Sequence, residues 1–223
     1  MTVSTRQDSI VQINFWSFYT KMSFSDHLRQ FFKTILDSIA SLMNRAGLTP
    51  NSVTLIALLG NFVAAILISL GWIQIGGFLV LLMGPLDAVD GSMARLRNQV
   101  SPFGAFLDSI SDRYSELMVL GGLLIYYTRL ADWRLCLLAY FAAVGSVMVS
   151  YTRARGEGLG FSVKIGLLTR VERYLVMAPS LIFNIPIVGL WVIAIFGNFT
   201  ALQRIWQVWR QSSQPDSVKS LKK

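Results

Sequence analysis

Apolar residues occur in long runs, separated by short polar segments, over most of the chain. A helix needs roughly 20 mostly apolar residues to cross the hydrocarbon core of a bilayer. Stretches of about that length and character cover residues 50–70, 73–94, 103–128, 132–152, 167–183 and 186–208. The pattern therefore predicts an all-α integral membrane protein with six transmembrane helices.

The segment before the first run has a different pattern. In Phe24–Ala46, apolar residues recur every three or four positions, while Arg29, Lys33, Asp37 and Arg45 occupy the opposite face. This spacing predicts an amphipathic helix. Two placements are open for it: along the membrane surface as an interfacial helix next to the first span, or packed on the core as an ordinary partner helix.

The composition agrees with a membrane protein. Hydrophobic residues make up 53% of the 223 residues and charged residues 14%, whereas soluble domains carry about 25% charged residues. Cys136 is the single cysteine, so no disulfide can form within the chain. No linker interrupts the apolar runs. We therefore predict an N-terminal segment at 1–48, one six-helix transmembrane domain at 49–210 and a disordered basic tail at 211–223.

The basic residues are distributed unevenly about the predicted spans. The formal net charge is +8, and all of the 20 lysines and arginines except Arg129 and Arg134 lie before the first span, around the second and fourth connections, or towards the C-terminal end. The positive-inside rule predicts that these regions and both termini face the cytoplasm, with the spans in the cell membrane. Because the basic residues are scattered at span ends and form no groove, membrane lipids are the expected partner and a nucleic acid is not.

Acidic residues interrupt the second and third predicted spans, where contact with lipid would be unfavourable. The stretch reads Asp87-Ala-Val-Asp90-Gly91-Ser-Met-Ala94-Arg95, then eight residues, then Gly104-Ala-Phe-Leu-Asp108-Ser-Ile-Ser-Asp112. Spacings of three and four place each pair of aspartates on one face of its helix. Four facing carboxylates would repel one another unless cations lay between them. Because no cluster of histidine or cysteine accompanies them, the oxygen ligands favour Mg²⁺ or Mn²⁺.

Two interpretations fit this stretch. In the first, Gly91 and Gly104 let a ligand or a facing helix approach the backbone. Ala94 then keeps the same surface shallow, and Arg95 offers a guanidinium fork to a phosphate group. In the second interpretation, the aspartates form interhelical salt bridges with arginines in a transporter or scaffold that has no enzymatic activity.

The same stretch resembles the signature of the CDP-alcohol phosphotransferases, D-x-x-D-G-x-x-A-R, eight residues, G-x-x-x-D-x-x-x-D. Every fixed position of the signature is matched in this chain. The resemblance implies an enzyme that moves a phosphatidyl group from CDP-diacylglycerol onto a small alcohol and releases CMP. It also implies six transmembrane helices preceded by a juxtamembrane helix, and a homodimer.

The resemblance further implies roles for individual residues. Two divalent cations, Mg²⁺ or Mn²⁺, would be held by the four aspartates, and one aspartate, Asp112, would also act as the base on the acceptor hydroxyl. The metal ligands implied are Asp87, Asp90, Asp108 and Asp112. The contacts to the CDP-lipid would come from Gly91, Ala94, Arg95 and Gly104. Asn51 and Thr54 join this second group because the segment from Thr49 to Thr54 resembles the family's entry to the first span, although capping alone also explains Pro50.

The acceptor is predicted from arginines near the cytoplasmic ends of the fourth and fifth spans. These segments resemble the S-Y-x-K-A-R-x-E and E-R-P-E-R segments of bacterial phosphatidylinositol phosphate synthases, with Arg153, Thr169 and Val171 replacing the Lys, Glu and Pro. The residues implied to hold the acceptor phosphate are Ser150, Arg153, Arg170 and Arg204. The expected acceptor is inositol 1-phosphate, and glycerol 3-phosphate is the alternative. The arginines are equally explained as anchors in lipid headgroups.

Overall fold

The computed structural model describes residues 36–97 and 100–213, apart from the side chains of Asp87 and Ala88. Within these ranges the chain is helical and contains no strand, which confirms the all-α prediction for this part of the protein. The helices are α1 (36–45), α2 (Pro50–Ser69), α3 (Ile73–Leu96), α4 (Pro102–Arg129), α5 (Trp133–Gly158), α6 (Arg170–Ile182), α7 (Pro186–Val192) and α8 (Asn198–Ser212). A π-helix, Ile193–Gly197, joins α7 to α8.

Four segments in the described part of the chain are long and apolar enough to cross a membrane. They are α2, α3, α5 and the continuous stretch Pro186–Ser212. Helix α4 has 28 residues but carries four charged residues between positions 108 and 116, and α6 has 13 residues. At 1.5 Å per residue, α6 is about 20 Å long, which is shorter than the hydrocarbon core of roughly 30 Å. These four apolar segments indicate that the chain is a multi-pass membrane protein. The count of six spans stays a prediction.

Side-chain caps fix the first turns of α2 and α4. Thr49 Oγ1 accepts a hydrogen bond from the backbone N–H of Ser52 at 3.2 Å, and Ser101 Oγ accepts one from Gly104 at 3.0 Å. A proline follows each cap, where its missing N–H and its fixed φ angle suit the start of a helix. The cap on α4 therefore also positions Gly104, a residue of the predicted CDP-lipid contacts.

The main hydrophobic core is formed by residues of α2, α3, α4, α5, α6 and α7. Ile68, Leu123, Leu181 and Leu190 are fully buried in it. Helices α2 and α4 approach closely, because a methyl group on Gly122 would lie 2.5 Å from the carbonyl oxygen of Ala65. Small residues at such contacts let helix backbones come together in a membrane, where packing replaces much of the hydrophobic driving force.

The described part of the predicted amphipathic helix packs against α2 and α3. Ala40 of α1 is fully buried against Val53, Val89 and Met93, whereas Leu42 is 70% exposed. Residues 36–45 therefore pack through one face on α2 and α3, and residues 24–35 of the predicted helix lie outside the described ranges. Its interfacial placement stays a prediction.

The last helix extends further than the sequence predicts. Helix α8 ends at Ser212, so it includes two residues assigned to the disordered tail. Gln211 explains the extension, because its side-chain amide exchanges two hydrogen bonds with the backbone of Ser162, at 3.1 and 2.8 Å. Residues 214–223 of the predicted tail lie outside the described part of the chain.

The π-helix sets the start of α8 against α5. Asn198, directly after it, donates hydrogen bonds from Nδ2 to the carbonyl oxygens of Phe141 at 3.1 Å and Ala194 at 2.7 Å. A methyl group on Gly145 would lie 2.7 Å from Asn198 Nδ2, so α5 admits this contact only with glycine there. Further along, Arg204 of α8 is 2% exposed.

Candidate functional site

A threonine of α2 orients one of the signature aspartates of α3. Thr54 Oγ1 donates a hydrogen bond to Asp90 Oδ2 at 2.5 Å. Thr54 Oγ1 also lies 3.2 Å from the carbonyl oxygen of Pro50, in the preceding turn of α2. Thr54 is 3% exposed and Asp90 is 6% exposed. A carboxylate removed from water needs such polar partners, and the hydroxyl of Thr54 also fixes the direction in which the carboxylate points.

Asp90 opens into a cavity of about 470 Å³ between α2, α3 and α4, which we call the motif cavity. It brings together eight residues that the sequence analysis assigns to the metal or CDP-lipid site. These residues are Asn51, Thr54, Asp90, Gly91, Ala94, Arg95, Gly104 and Asp108. The wall is completed by Thr49, Pro50, Val100, Ser101 and Ala105. Three separate segments of the sequence thus converge on one space.

The two signature glycines, Gly91 and Gly104, leave backbone exposed at the wall of the motif cavity, because they have no side chains to project into it. The nearest atom to a methyl group placed on Gly91 would be Arg95 Nη1 at 3.5 Å, so that methyl group would fit but would occupy cavity space. On Gly104 it would lie 3.1 Å from Ser101 Oγ and 3.6 Å from Asn51 Oδ1. Arg95 is exposed at the same wall, where Nη2 donates to Ser92 Oγ at 2.8 Å. The wall therefore exposes backbone and a guanidinium group, as recognition of a phosphate requires.

Asp112 lies one helical turn after Asp108 and lines a different space. It is 9% exposed and forms an ion pair with Arg170 of α6 and another with Arg113, whose Nη1 is 3.6 Å from Asp112 Oδ2. With Arg170 it lines a second cavity of about 80 Å³, which also contacts Glu116 and Arg173. We call this space the α4–α6 cavity. The ion pair with Arg170 is of the kind that the salt-bridge interpretation expects.

The donor chemistry of the motif cavity suits a hard divalent cation. The carboxylates of Asp90 and Asp108 line it, and oxygen donors of this kind are the ligands of Mg²⁺ and Mn²⁺. The backbone of Asp87 lies on α3, and its side chain is outside the described part of the structure. Among the side chains that are described, no three of histidine, cysteine, aspartate or glutamate come close enough to hold a metal ion. The structure thus supplies two of the predicted carboxylate ligands to one cavity.

An ion pair that the sequence analysis missed connects α4 to α6. Arg173 Nε and Nη2 lie 2.6 and 3.0 Å from the two carboxylate oxygens of Glu116, and Arg173 is 2% exposed. Glu116 follows Asp112 by four residues, and Arg173 follows Arg170 by three. Because such spacings repeat a helical face, the two ion pairs are successive links between the same helices. That repeated spacing in the sequence could have indicated the ion pair between Glu116 and Arg173.

The four predicted acceptor residues are not gathered into one cavity. Arg170 lines the α4–α6 cavity, and Ser150, Arg153 and Arg204 line neither of the two cavities described above. Arg153 is exposed and its Nε lies 2.9 Å from Glu157 Oε1 on the same helix. Buried Arg204 donates from Nε to the carbonyl oxygen of Ile165 at 2.9 Å and from Nη1 to that of Val149. In this structure Arg204 therefore joins α8 to α5 and to the loop before α6.

Comparison with known protein families identifies the class of protein. The family model described as CDP-alcohol phosphatidyltransferase matches residues 47–207. The chain belongs to the CDP-alcohol phosphatidyltransferase family. The matched range runs from the residues just before α2 into α8 and includes both cavities, so this phosphatidyltransferase is a membrane transferase. The resemblance seen in the aspartate signature is confirmed.

Relatives of this phosphatidyltransferase include proteins with an assigned acceptor. The phosphatidylinositol phosphate synthase of Streptomyces avermitilis is 32% identical over 214 residues, which cover 89% of this chain and 87% of that protein. The crystal structure of the Mycobacterium tuberculosis phosphatidylinositol phosphate synthase with CDP-DAG bound has a TM-score of 0.74 and 30% identity, covering 83% of this chain and 97% of that one. The structure of the same synthase in complex with manganese and citrate has a TM-score of 0.73 and 30% identity, covering 82% and 91%.

Proposed function

We propose that this phosphatidyltransferase transfers the phosphatidyl group of CDP-diacylglycerol to inositol 1-phosphate, forming phosphatidylinositol phosphate and releasing CMP. The observation that carries the proposal is the motif cavity, where eight predicted site residues from three segments of the sequence line one space. The synthases of Streptomyces avermitilis and Mycobacterium tuberculosis support the choice of acceptor, and the CDP-DAG complex of the latter supports the choice of donor. Thr169 and Val171 depart from the synthase pattern, so glycerol 3-phosphate is the second candidate acceptor.

The residues proposed to hold two divalent cations, Mg²⁺ or Mn²⁺, are Asp87, Asp90, Asp108 and Asp112. The manganese complex of the Mycobacterium tuberculosis synthase supports a divalent cation. When bound, the cations would supply charge stabilisation to the attacked and the departing phosphate groups. Thr54 orients Asp90 for this role through their hydrogen bond. Arg95, exposed at the wall of the motif cavity, would bind a phosphate of the nucleotide.

The reaction itself is a displacement at phosphorus. The acceptor hydroxyl oxygen forms a bond to the phosphorus that carries diacylglycerol, and the bond from that phosphorus to the oxygen of CMP breaks. The proton of the hydroxyl goes to the carboxylate of Asp112, and CMP leaves with the electron pair. Arg170, which already pairs with Asp112, would bind the acceptor phosphate together with Ser150, Arg153 and Arg204.

We propose six transmembrane spans, with α4 and α6 added to the four apolar segments. Helix α4, at 28 residues, is about 42 Å long, and Asp108 and Asp112 line cavities and are not fully exposed to the surroundings. Helix α6 would reach across only together with the residues that flank it. The unequal distribution of basic residues supports a cytoplasmic site and cytoplasmic termini in the cell membrane. We further propose that the enzyme acts as a homodimer, as the family resemblance implies.

An acceptor screen tests this function. Purified protein is incubated with labelled CDP-diacylglycerol, Mg²⁺ or Mn²⁺, and separately with inositol 1-phosphate, inositol, glycerol 3-phosphate or serine, while CMP release and the lipid product are measured. We expect product with inositol 1-phosphate, complete loss with a chelator, and recovery when the metal is restored. Product with glycerol 3-phosphate alone would overturn the acceptor. No CMP with any acceptor, together with no binding of CDP-lipid or metal, would favour the transporter or scaffold interpretation.

The matched pair Asp112→Asn and Asp132→Asn tests the base. Asp112→Asn should lower turnover by about two to four orders of magnitude, the range of general base catalysis. The variant should still fold, because the arginines it leaves behind, Arg113 and Arg170, are 37% and 48% exposed and keep contact with water. Asp132 caps α5 by accepting from the N–H groups of Arg134 and Leu135, and asparagine caps a helix about as well as aspartate. Asp132→Asn should therefore leave turnover unchanged. Full activity in Asp112→Asn would remove Asp112 from the catalytic role.

A further inference from the structure

Helix α3 contains a proline directly before the signature aspartates. Pro85 lies in the interior of α3, two residues before Asp87 and five before Asp90. A proline has no N–H to donate to the carbonyl oxygen four residues earlier, and its ring crowds that oxygen. The oxygen affected is that of Leu81. In a membrane, such a carbonyl group needs another donor, because no bulk water reaches it.

A tyrosine of α6 supplies the missing donor. Tyr174 Oη donates a hydrogen bond to the carbonyl oxygen of Leu81 at 2.7 Å and lies 3.5 Å from that of Val80. Gly84 provides the room for this contact, since a methyl group on Gly84 would overlap the phenol ring of Tyr174. Pro85 frees the carbonyl group, Gly84 opens the space in front of it, and Tyr174 fills that space with a hydroxyl donor.

We propose that Tyr174 is a positioning residue, which through its hydrogen bond to Leu81 fixes the course of α3 at Pro85 and so the place of Asp90 in the motif cavity. Arg170 lies one turn before Tyr174 on α6. The same hydrogen bond therefore also links α3, which carries two of the four proposed metal ligands, to α6, which carries the proposed acceptor residue Arg170. This inference rests on the metal site of the proposed function, and metal affinity can be measured without turnover.

A double-mutant cycle between Tyr174 and Pro85 tests the inference. Tyr174→Phe removes only the hydroxyl group, and we expect the dissociation constant for Mn²⁺ to rise about fivefold, the effect of one lost hydrogen bond. Pro85→Ala restores an N–H group that can bond to the carbonyl oxygen of Leu81. In that background, Tyr174→Phe should change Mn²⁺ affinity by less than about twofold. The affinity is measured from the electron paramagnetic resonance signal of free Mn²⁺ during titration of the purified protein, and the half-saturating Mn²⁺ concentration for CMP release is measured in parallel.

Two further variants keep the test decisive if Pro85→Ala does not fold. Gly84→Ala retains the hydroxyl group but displaces the ring, so it should weaken Mn²⁺ binding as Tyr174→Phe does. Tyr140→Phe removes the hydroxyl group of a tyrosine of α5 that is 56% exposed, and it should change nothing. Unchanged Mn²⁺ affinity in both Tyr174→Phe and Gly84→Ala would overturn the inference. It would also be overturned if Tyr174→Phe weakened Mn²⁺ binding equally in the wild-type and the Pro85→Ala backgrounds. A wild-type protein that binds no Mn²⁺ would instead contradict the proposed metal site.

Discussion

The ion pair between Glu116 and Arg173 offers a direct test of how α4 and α6 are held together. Replacing Glu116 with glutamine removes the negative charge and keeps the shape of the side chain. Arg173, which is 2% exposed, would then be a buried cation without its carboxylate. It would keep its hydrogen bond from Nη1 to the carbonyl oxygen of Leu168 at 3.2 Å. We expect Glu116→Gln to destabilise the protein.

The magnitude follows from burial and from the bonds that remain. Breaking a buried ion pair by removing one partner costs about 3–5 kcal/mol. The side chain of Glu116 is 22% exposed, and glutamine still accepts one hydrogen bond, so the lower end of that range, about 3 kcal/mol, applies. For a chain of this length, each kcal/mol lowers the unfolding midpoint by about 2–4 °C. The expected decrease is therefore about 6–12 °C.

The assay is thermal unfolding of the purified protein in detergent, followed by tryptophan fluorescence, with two comparison variants. Glu157→Gln breaks the exposed pair with Arg153, in which both side chains are about half exposed, and such pairs contribute only about 0.3–0.5 kcal/mol. The double variant Glu116→Met with Arg173→Met removes both charges and should recover most of the loss. A midpoint for Glu116→Gln as high as that of Glu157→Gln, or a double variant less stable than Glu116→Gln, would refute this reasoning.

Two other substitutions probe the packing of α2 and the orientation of Asp90. Gly122→Ala should lower stability by about 1–3 kcal/mol through overpacking, because its methyl group would meet the carbonyl oxygen of Ala65. Gly121→Ala, with open space around it, is the control in the same unfolding assay, and equal midpoints would contradict the close approach of the helices. Thr54→Val should raise the half-saturating metal concentration about tenfold by removing a hydrogen bond to a carboxylate. Thr54→Ser, which keeps the hydroxyl group, should leave that concentration nearly unchanged, and a similar rise in both variants would argue against orientation of Asp90 by the hydroxyl group.

The positions of the helices were readable from the sequence. Apolar runs and helix-starting prolines are local signals, and Pro50, Pro102 and Pro186 each begin a helix at or next to a predicted boundary. The aspartate signature likewise indicated which residues share a helical face, and it led to the family. Both kinds of information depend on residues that lie close together in the sequence.

The grouping of residues from different helices was less predictable. The sequence analysis treated Asp108 and Asp112 as one pair on one face, but they line different cavities. Residues one turn apart lie about 6 Å apart along the helix axis, which is far enough for them to reach two neighbouring spaces. The residues predicted to bind the acceptor phosphate likewise do not line one cavity. Arg204 is bonded to backbone carbonyl groups from α5 and the loop before α6, and such partners have no side-chain signal in the sequence. Periodicity determines which way a side chain faces on its own helix, and tertiary packing determines what it meets.

The five-residue π-helix between α7 and α8 has a consequence for the evolution of this enzyme. A π-turn holds one residue more than an α-turn, so it takes up one extra residue without rotating the helix that follows. Removing one residue from Ile193–Gly197 would convert the turn to a regular α-turn and leave Asn198 and Arg204 facing as they do now. A one-residue deletion within α8, between Asn198 and Arg204, would instead rotate Arg204 by about 100° about the helix axis, away from the carbonyl oxygens of Val149 and Ile165. The π-helix is thus the place where the final helix can gain or lose a residue while its later side chains keep their inward direction.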